Sequence, residues 1–93
     1  MSALLRKFLL MLILALSTAL ASERYSAQLD TVNALREQAD ASNALQLAPQ
    51  SYNLGIQSLE RARRDIEAGR AAERIRDRLT EAGSHFEEAL ATA

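Results

Sequence analysis

The stretch of this 93-residue chain with the most chemical potential is Glu60-Arg61-Ala62-Arg63-Arg64-Asp65-Ile66-Glu67. It sets three guanidinium groups within four positions. Arginine grips carboxylates and phosphates through a planar fork of donors, and no lysine follows Lys7, so every later basic residue carries that fork. Acids alternate with the arginines. Glu60 and Arg64, Arg61 and Asp65, and Arg63 and Glu67 each stand four apart, the spacing at which side chains on one helix face meet. The alternation reads first as a solvated, salt-laced helix face. Arg61 and Arg64, with Tyr52, form the candidate interaction face. Tyr52 also reads as a core anchor with a hydrated hydroxyl.

Other reactive chemistry has little to work with. The chain has no Cys, which excludes a disulfide framework, a thiolate zinc site, a cysteine nucleophile and a lipidated amino-terminal Cys. His85 is the single histidine, so no multi-histidine metal site exists. It reads as a surface residue near a helix carboxyl end. Glu87 and Glu88 are adjacent on a predicted helix and point in different directions, so they do not share one site. There is no Gly-rich phosphate loop, HExxH, GxSxG or EF-hand loop. The expectation is a protein that is not an enzyme, with no catalytic, cofactor-binding or metal-ligating residues and no cofactor.

Charge and the leader narrow the partners. Met1–Ala21 opens with the basic pair Arg6-Lys7. The apolar run Phe8–Leu16 follows, and Ala19-Leu20-Ala21 has the small-x-small pattern a signal peptidase accepts. Cleavage is expected after Ala21, leaving residues 22–93 as a single periplasmic domain. The alternative is an uncleaved leader that anchors the chain in the membrane, although Phe8–Ala21 is fourteen residues, short of the roughly 20 that span a bilayer core. Loss of Arg6 and Lys7 leaves nine basic against twelve acidic residues, a net −3. That balance argues against nucleic acid, which calls for a surplus of basic groups, and against an anionic membrane surface once the leader is gone.

The elements that would position these residues are all helical. Tyr25, Leu29, Val32, Leu35 and Ala39 recur at steps of three and four and predict a helix over about 23–47, its face less clear at Ser42 and Asn43. Ala48-Pro49 breaks it, and Pro suits the first position of a second helix, about 49–68. That helix would bury Tyr52, Ile56, Leu59, Ala62 or Arg63, and Ile66. Gly55 and Ala62 make a shallow strip for close approach, and Ser58 reads as exposed. A third helix, about 70–91, carries Ala72, Ile75, Leu79, Ala82, Phe86 and Ala89 or Leu90. Ile66 and Ile75 are nine apart, so on one continuous helix they would face opposite ways at about 100° per residue. A turn at Gly69 lets the stripes face each other. The predicted fold is all-α: an antiparallel hairpin of about 49–68 and 70–91 with a preceding helix, in a three-helix arrangement.

The segment Leu47–Leu90 resembles a helical domain of unknown function in bacterial envelope proteins, often placed before an OmpA-like domain. The matching elements are the Ala48-Pro49 helix start, the spaced Leu59 and Ala62, the turn at Gly69 and the return helix with Ala82, Phe86 and Ala89. The resemblance implies a periplasmic helical packing module and no activity. It carries over no functional residues. The expected function is a non-catalytic protein-interaction module, its partner an envelope protein or a second copy of itself. The alternative is a structural envelope protein whose arginine face meets peptidoglycan carboxylates.

Overall fold

The computed structural model describes residues 25–93. The leader, including Ala19 and Ala21, and the predicted helix start at Glu23 lie outside the described residues. Four helices follow one another: α1 over 25–41, α2 Ala44–Leu47, α3 Pro49–Glu67 and α4 Ala72–Thr92. No strand occurs among the described residues. The fold is all-α, and none of the described helices is long and apolar enough to cross a membrane.

The hairpin of α3 and α4 is the centre of the fold. Its turn is a Schellman motif, with Gly69 in the left-handed region at φ 67°. The Arg70 amide reaches back to the Asp65 carbonyl at 2.9 Å and the Gly69 amide to the Ile66 carbonyl at 3.1 Å. A Cβ at Gly69 would meet nothing within 4 Å, so the demand for glycine is purely conformational. Gly69→Ala is therefore expected to lower stability by about 1 kcal/mol, the penalty of a left-handed L-residue. Gly69→Asn, which tolerates that region better, should cost less in the same urea melts. Because the motif uses Gly69 and Arg70, and Ala71 stays extended at φ −57°, ψ 140°, α4 begins at Ala72.

The three longer helices form an up–down–up bundle. Antiparallel packing brings Gly55 of α3 against Phe86 of α4 at one end and Asp65 against Arg74 near the turn. The α1 helix runs in the same sense as α4. Gln28 Nε2 donates to the Arg76 carbonyl at 3.2 Å and to Thr80 Oγ1 at 2.9 Å. Further along, Val32 and Leu35 lie beside Gly83.

The core follows the predicted stripes. Val32 and Ala39 of α1, Tyr52, Leu59 and Ala62 of α3, and Ile75, Leu79, Ala82, Phe86 and Ala89 of α4 are buried. Ile56, Ile66, Leu29 and Leu35 pack on this cluster from its edge. Ala62 rather than Arg63 takes the inward position, and Arg63 is exposed. Five of the buried alanines, Ala39, Ala44, Ala62, Ala82 and Ala89, are completely covered. Their small side chains let the helices approach closely, while Phe86, Leu59, Ile75 and Leu79 fill the volume.

Two local expectations differ from the structure. The predicted helix over 23–47 is interrupted at Ser42–Asn43, where Asn43 adopts φ 57° and ends α1. Asn is among the few residues that visit this region readily. The chain restarts as the single turn α2, which turns Ala44 inward and leaves Leu45 and Leu47 exposed. Ser58, read as exposed, is buried, because Tyr52, Gly55, Ser58, Leu59 and Ala62 make a broader inner face than the apolar residues alone mark out.

Candidate functional site

Asp65 sits in the last turn of α3, where its carbonyl is already engaged by the Arg70 amide of the turn. Its side chain is only 13% exposed. The return helix brings Arg74 and Arg78, four positions apart on one face, alongside it. Arg74 Nε lies 3.4 Å and Arg78 Nε 3.8 Å from Asp65 Oδ2. Arg78 Nη1 is also 3.7 Å from Glu81 Oε2. The predicted pairing of Asp65 with Arg61 on its own helix is thus replaced by pairing across the hairpin. Nor do Glu60 and Arg64, or Arg63 and Glu67, close as ion pairs among the described residues. A carboxylate this far from water is costly unless opposite charge compensates it, and α4 supplies that charge. On α3 the exposed acids keep their solvation and gain little from a neighbour.

Arg61 and Arg64 stand beside this centre. Together with Asp65, Arg74 and Arg78 they line an open cleft of about 270 Å³. Four guanidinium groups and one carboxylate make its lining formally +3 in a chain whose overall charge is −1. Such a concentration of like charge is unfavourable for folding and favourable for an anion, because each arginine brings a fork that matches an oxyanion. Asp65 Oδ2 is sealed from solvent, yet it accepts no hydrogen bond of good geometry among the described residues. The cationic cluster is therefore only partly neutralised from within.

The three residues of the candidate interaction face do not stay together. Arg61 and Arg64 share the cleft, but Tyr52 is in the opposite half of α3, nine residues or about 13 Å along the helix from Arg61. Tyr52 is buried. Its ring stands edge-on to Phe86 with centroids 5.9 Å apart and planes at 67°. Its hydroxyl donates to Asp40 Oδ1, which ties the end of α1 to α3. Arg74 and Arg78 complete the cleft, and the sequence pattern by itself singles out neither. The signal that could have found them is the hairpin itself, since a turn at Gly69 puts the residues before and after it side by side.

Tyr52 has its phenol pKa raised. The hydrogen bond to Asp40 is the largest cause, followed by burial and by the Asp40 charge, while Arg36 opposes them. A phenol held neutral in the fold stabilises the protein fully below its unfolded pKa of about 10, and that contribution is lost as pH rises through the elevated folded value. Denaturation midpoints should therefore fall with pH above about 10, and Tyr52→Phe should flatten that slope. An unchanged slope in the variant would assign the alkaline loss to other groups.

Other chemistry is sparse. No three of His, Cys, Asp and Glu converge as a metal site among the described residues. His85 is half-buried on α4, and Glu87 and Glu88 are exposed beside it. A second cleft, lined by Gln28, Glu73, Arg76, Asp77 and Thr80, mixes both signs of charge and has no preferred ligand chemistry. Against family models, curated proteins and solved structures, the chain finds no match.

Proposed function

We propose that this protein is a non-catalytic interaction module of the bacterial envelope, and that it holds an acidic partner protein in the cleft of Arg61, Arg64, Arg74 and Arg78. The observation that carries this reading is the convergence of four arginines, from two helices, on one solvent-open cleft. A row of forks suits clustered Asp and Glu side chains, and charge-assisted hydrogen bonds of this kind are roughly twice as strong as neutral ones. The leader supports export to the periplasm, with release after Ala21. The likeness of Leu47–Leu90 to a helical envelope domain fits the same compartment.

The test is partner capture in the envelope with a photo-reactive residue at Gln57, an exposed position one helical turn before Arg61. One dominant adduct is expected. It should be lost in the double variant Arg61→Glu, Arg64→Glu and retained in Arg63→Glu, which reverses a charge on α3 outside the cleft lining. Equal capture by both variants would refute the cleft as the binding face. The bait's intact mass also reports whether residues 1–21 are gone.

A second reading rests on the same arginines: the carboxylates of peptidoglycan stem peptides also suit a fork. Co-sedimentation with purified sacculi separates the two. Pelleting with sacculi that is abolished by Arg61→Glu, Arg64→Glu would favour the wall. A protein left in the supernatant removes that reading.

A further inference from the structure

The way Asp65 meets its two arginines gives the cleft an internal organisation. Both contacts are made through Nε, the inner nitrogen of the guanidinium. Neither contact has hydrogen-bond geometry, so the hold is an ion pair. An arginine drawn to a carboxylate on its Nε side still keeps its end-on donors at Nη1 and Nη2 directed away, and those donors are themselves a two-donor fork. In Arg74 both outer nitrogens remain; in Arg78, Nη1 is shared with Glu81. Asp65 itself is poorly placed to be a competing occupant. Its Oδ2 is sealed from solvent, and its backbone is fixed by the Schellman turn.

Resting on the cleft reading above, we infer that Asp65 is a positioning residue. It preorganises Arg74 and Arg78 so that their outer nitrogens receive side-chain carboxylates of an acidic peptide, with Arg61 and Arg64 adding charge from α3. Long, rotamer-rich side chains lose entropy when a ligand fixes them, and a carboxylate that fixes them beforehand lowers that cost. The ligand class is thus a peptide with two or more neighbouring carboxylates. A single-point anion would gain less from two fixed forks.

This makes a prediction of sign. Simple Coulombic reasoning says that removing the Asp65 charge raises the cleft's affinity for anions. Positioning says the opposite. The probe is a hexaglutamate peptide at low ionic strength, titrated into the full mature chain and followed through the Nε–H resonances of Arg74 and Arg78. Asp65→Asn should weaken binding about tenfold, a change of roughly one decade in Kd, and should average those resonances in the free protein while backbone signals stay in place. Asp65→Glu, which restores the carboxylate, should recover part of the affinity. Arg74→Lys keeps the charge and lacks the fork, and at a side chain 54% exposed it leaves the core untouched. It should weaken binding by a similar factor.

Tighter binding by Asp65→Asn, or wild-type affinity in Arg74→Lys, overturns the positioning role while leaving the cleft as a binding face. Absence of hexaglutamate binding in the wild-type protein overturns the acidic-peptide reading itself, and the positioning role with it. Equal affinity for inorganic phosphate and hexaglutamate overturns the two-carboxylate specificity alone.

Discussion

Phe86→Ala is expected to leave the protein largely unfolded at room temperature. Phe86 is completely buried and is the largest of the side chains that are. It touches both halves of the core: its ring lies over Gly55 of α3 and stands edge-on to Tyr52, whose hydroxyl in turn holds α1 through Asp40. Truncating a buried Phe to Ala costs about 3–5 kcal/mol, through lost transfer free energy plus the cavity left behind. A core of this size supplies a total stability of only about 3–5 kcal/mol. The two magnitudes are equal, so the loss should be seen as collapse rather than as a shifted melt. Ala82 and Ala89, one turn to either side on the buried face of α4, have no side-chain reach with which to fill the void. Circular dichroism at 222 nm should show helical signal much reduced and a transition without cooperativity. Leu45→Ala, at a side chain 53% exposed, is the matched control and should change stability by less than about 0.5 kcal/mol. A cooperative melt for Phe86→Ala within a few degrees of wild type would show that the hairpin core does not depend on this ring.

Much of that core was legible because helical period is a local property. The steps of three and four through Ile75, Leu79, Ala82, Phe86 and Ala89 need no partner to be read, and the phase argument between Ile66 and Ile75 placed the turn at Gly69. The helix break at Asn43 was legible only as a weakening of the stripe, since Asn accepts both helical and left-handed backbone. The cleft was half legible. Arg61 and Arg64 are visible as a pair on one helix, but the partners of Asp65 depend on the register of α3 against α4. Sequence spacing favours Arg61, four residues away, whereas the turn delivers Arg74 and Arg78. Local pairing rules describe an exposed helix, and Asp65 lies where a second helix covers it. Tyr52 separated from the arginines for a related reason. Its place on the inner stripe was clear, but its hydroxyl partner, Asp40, belongs to a different helix.

Gly55→Ala is the second large effect, and it runs against helix propensity. In an exposed helix the change would stabilise by about 1 kcal/mol. At Gly55 an added Cβ would lie 2.7 Å from Phe86 Cε1, 2.8 Å from Cδ1 and 3.0 Å from Cζ. Carbon atoms pack best about 3.5–4.0 Å apart, so the ring or the helix must give way. The ring has little room to do so, because Phe86 is fully buried and Tyr52 sits against it. Overpacking of this kind costs typically 1–3 kcal/mol, enough to exceed the propensity gain. A net loss of up to about 2 kcal/mol is expected, which for a domain of this length lowers Tm by roughly 4–8 °C per kcal/mol. The clash has a specific remedy. Phe86→Leu removes ring atoms from the contact, so the double variant Gly55→Ala, Phe86→Leu should be more stable than the two single losses predict, with a coupling of at least about 1 kcal/mol. Additive losses would mean that Gly55 matters for a reason other than Phe86. A raised Tm for Gly55→Ala alone would mean that α3 and α4 stand further apart than this contact requires. The same spacing sets how close Asp65 comes to Arg74 and Arg78, because one pair of packed helices carries both contacts. A Gly55→Ala variant that remains folded should therefore also bind hexaglutamate more weakly, although the substitution lies more than two helical turns from Asp65.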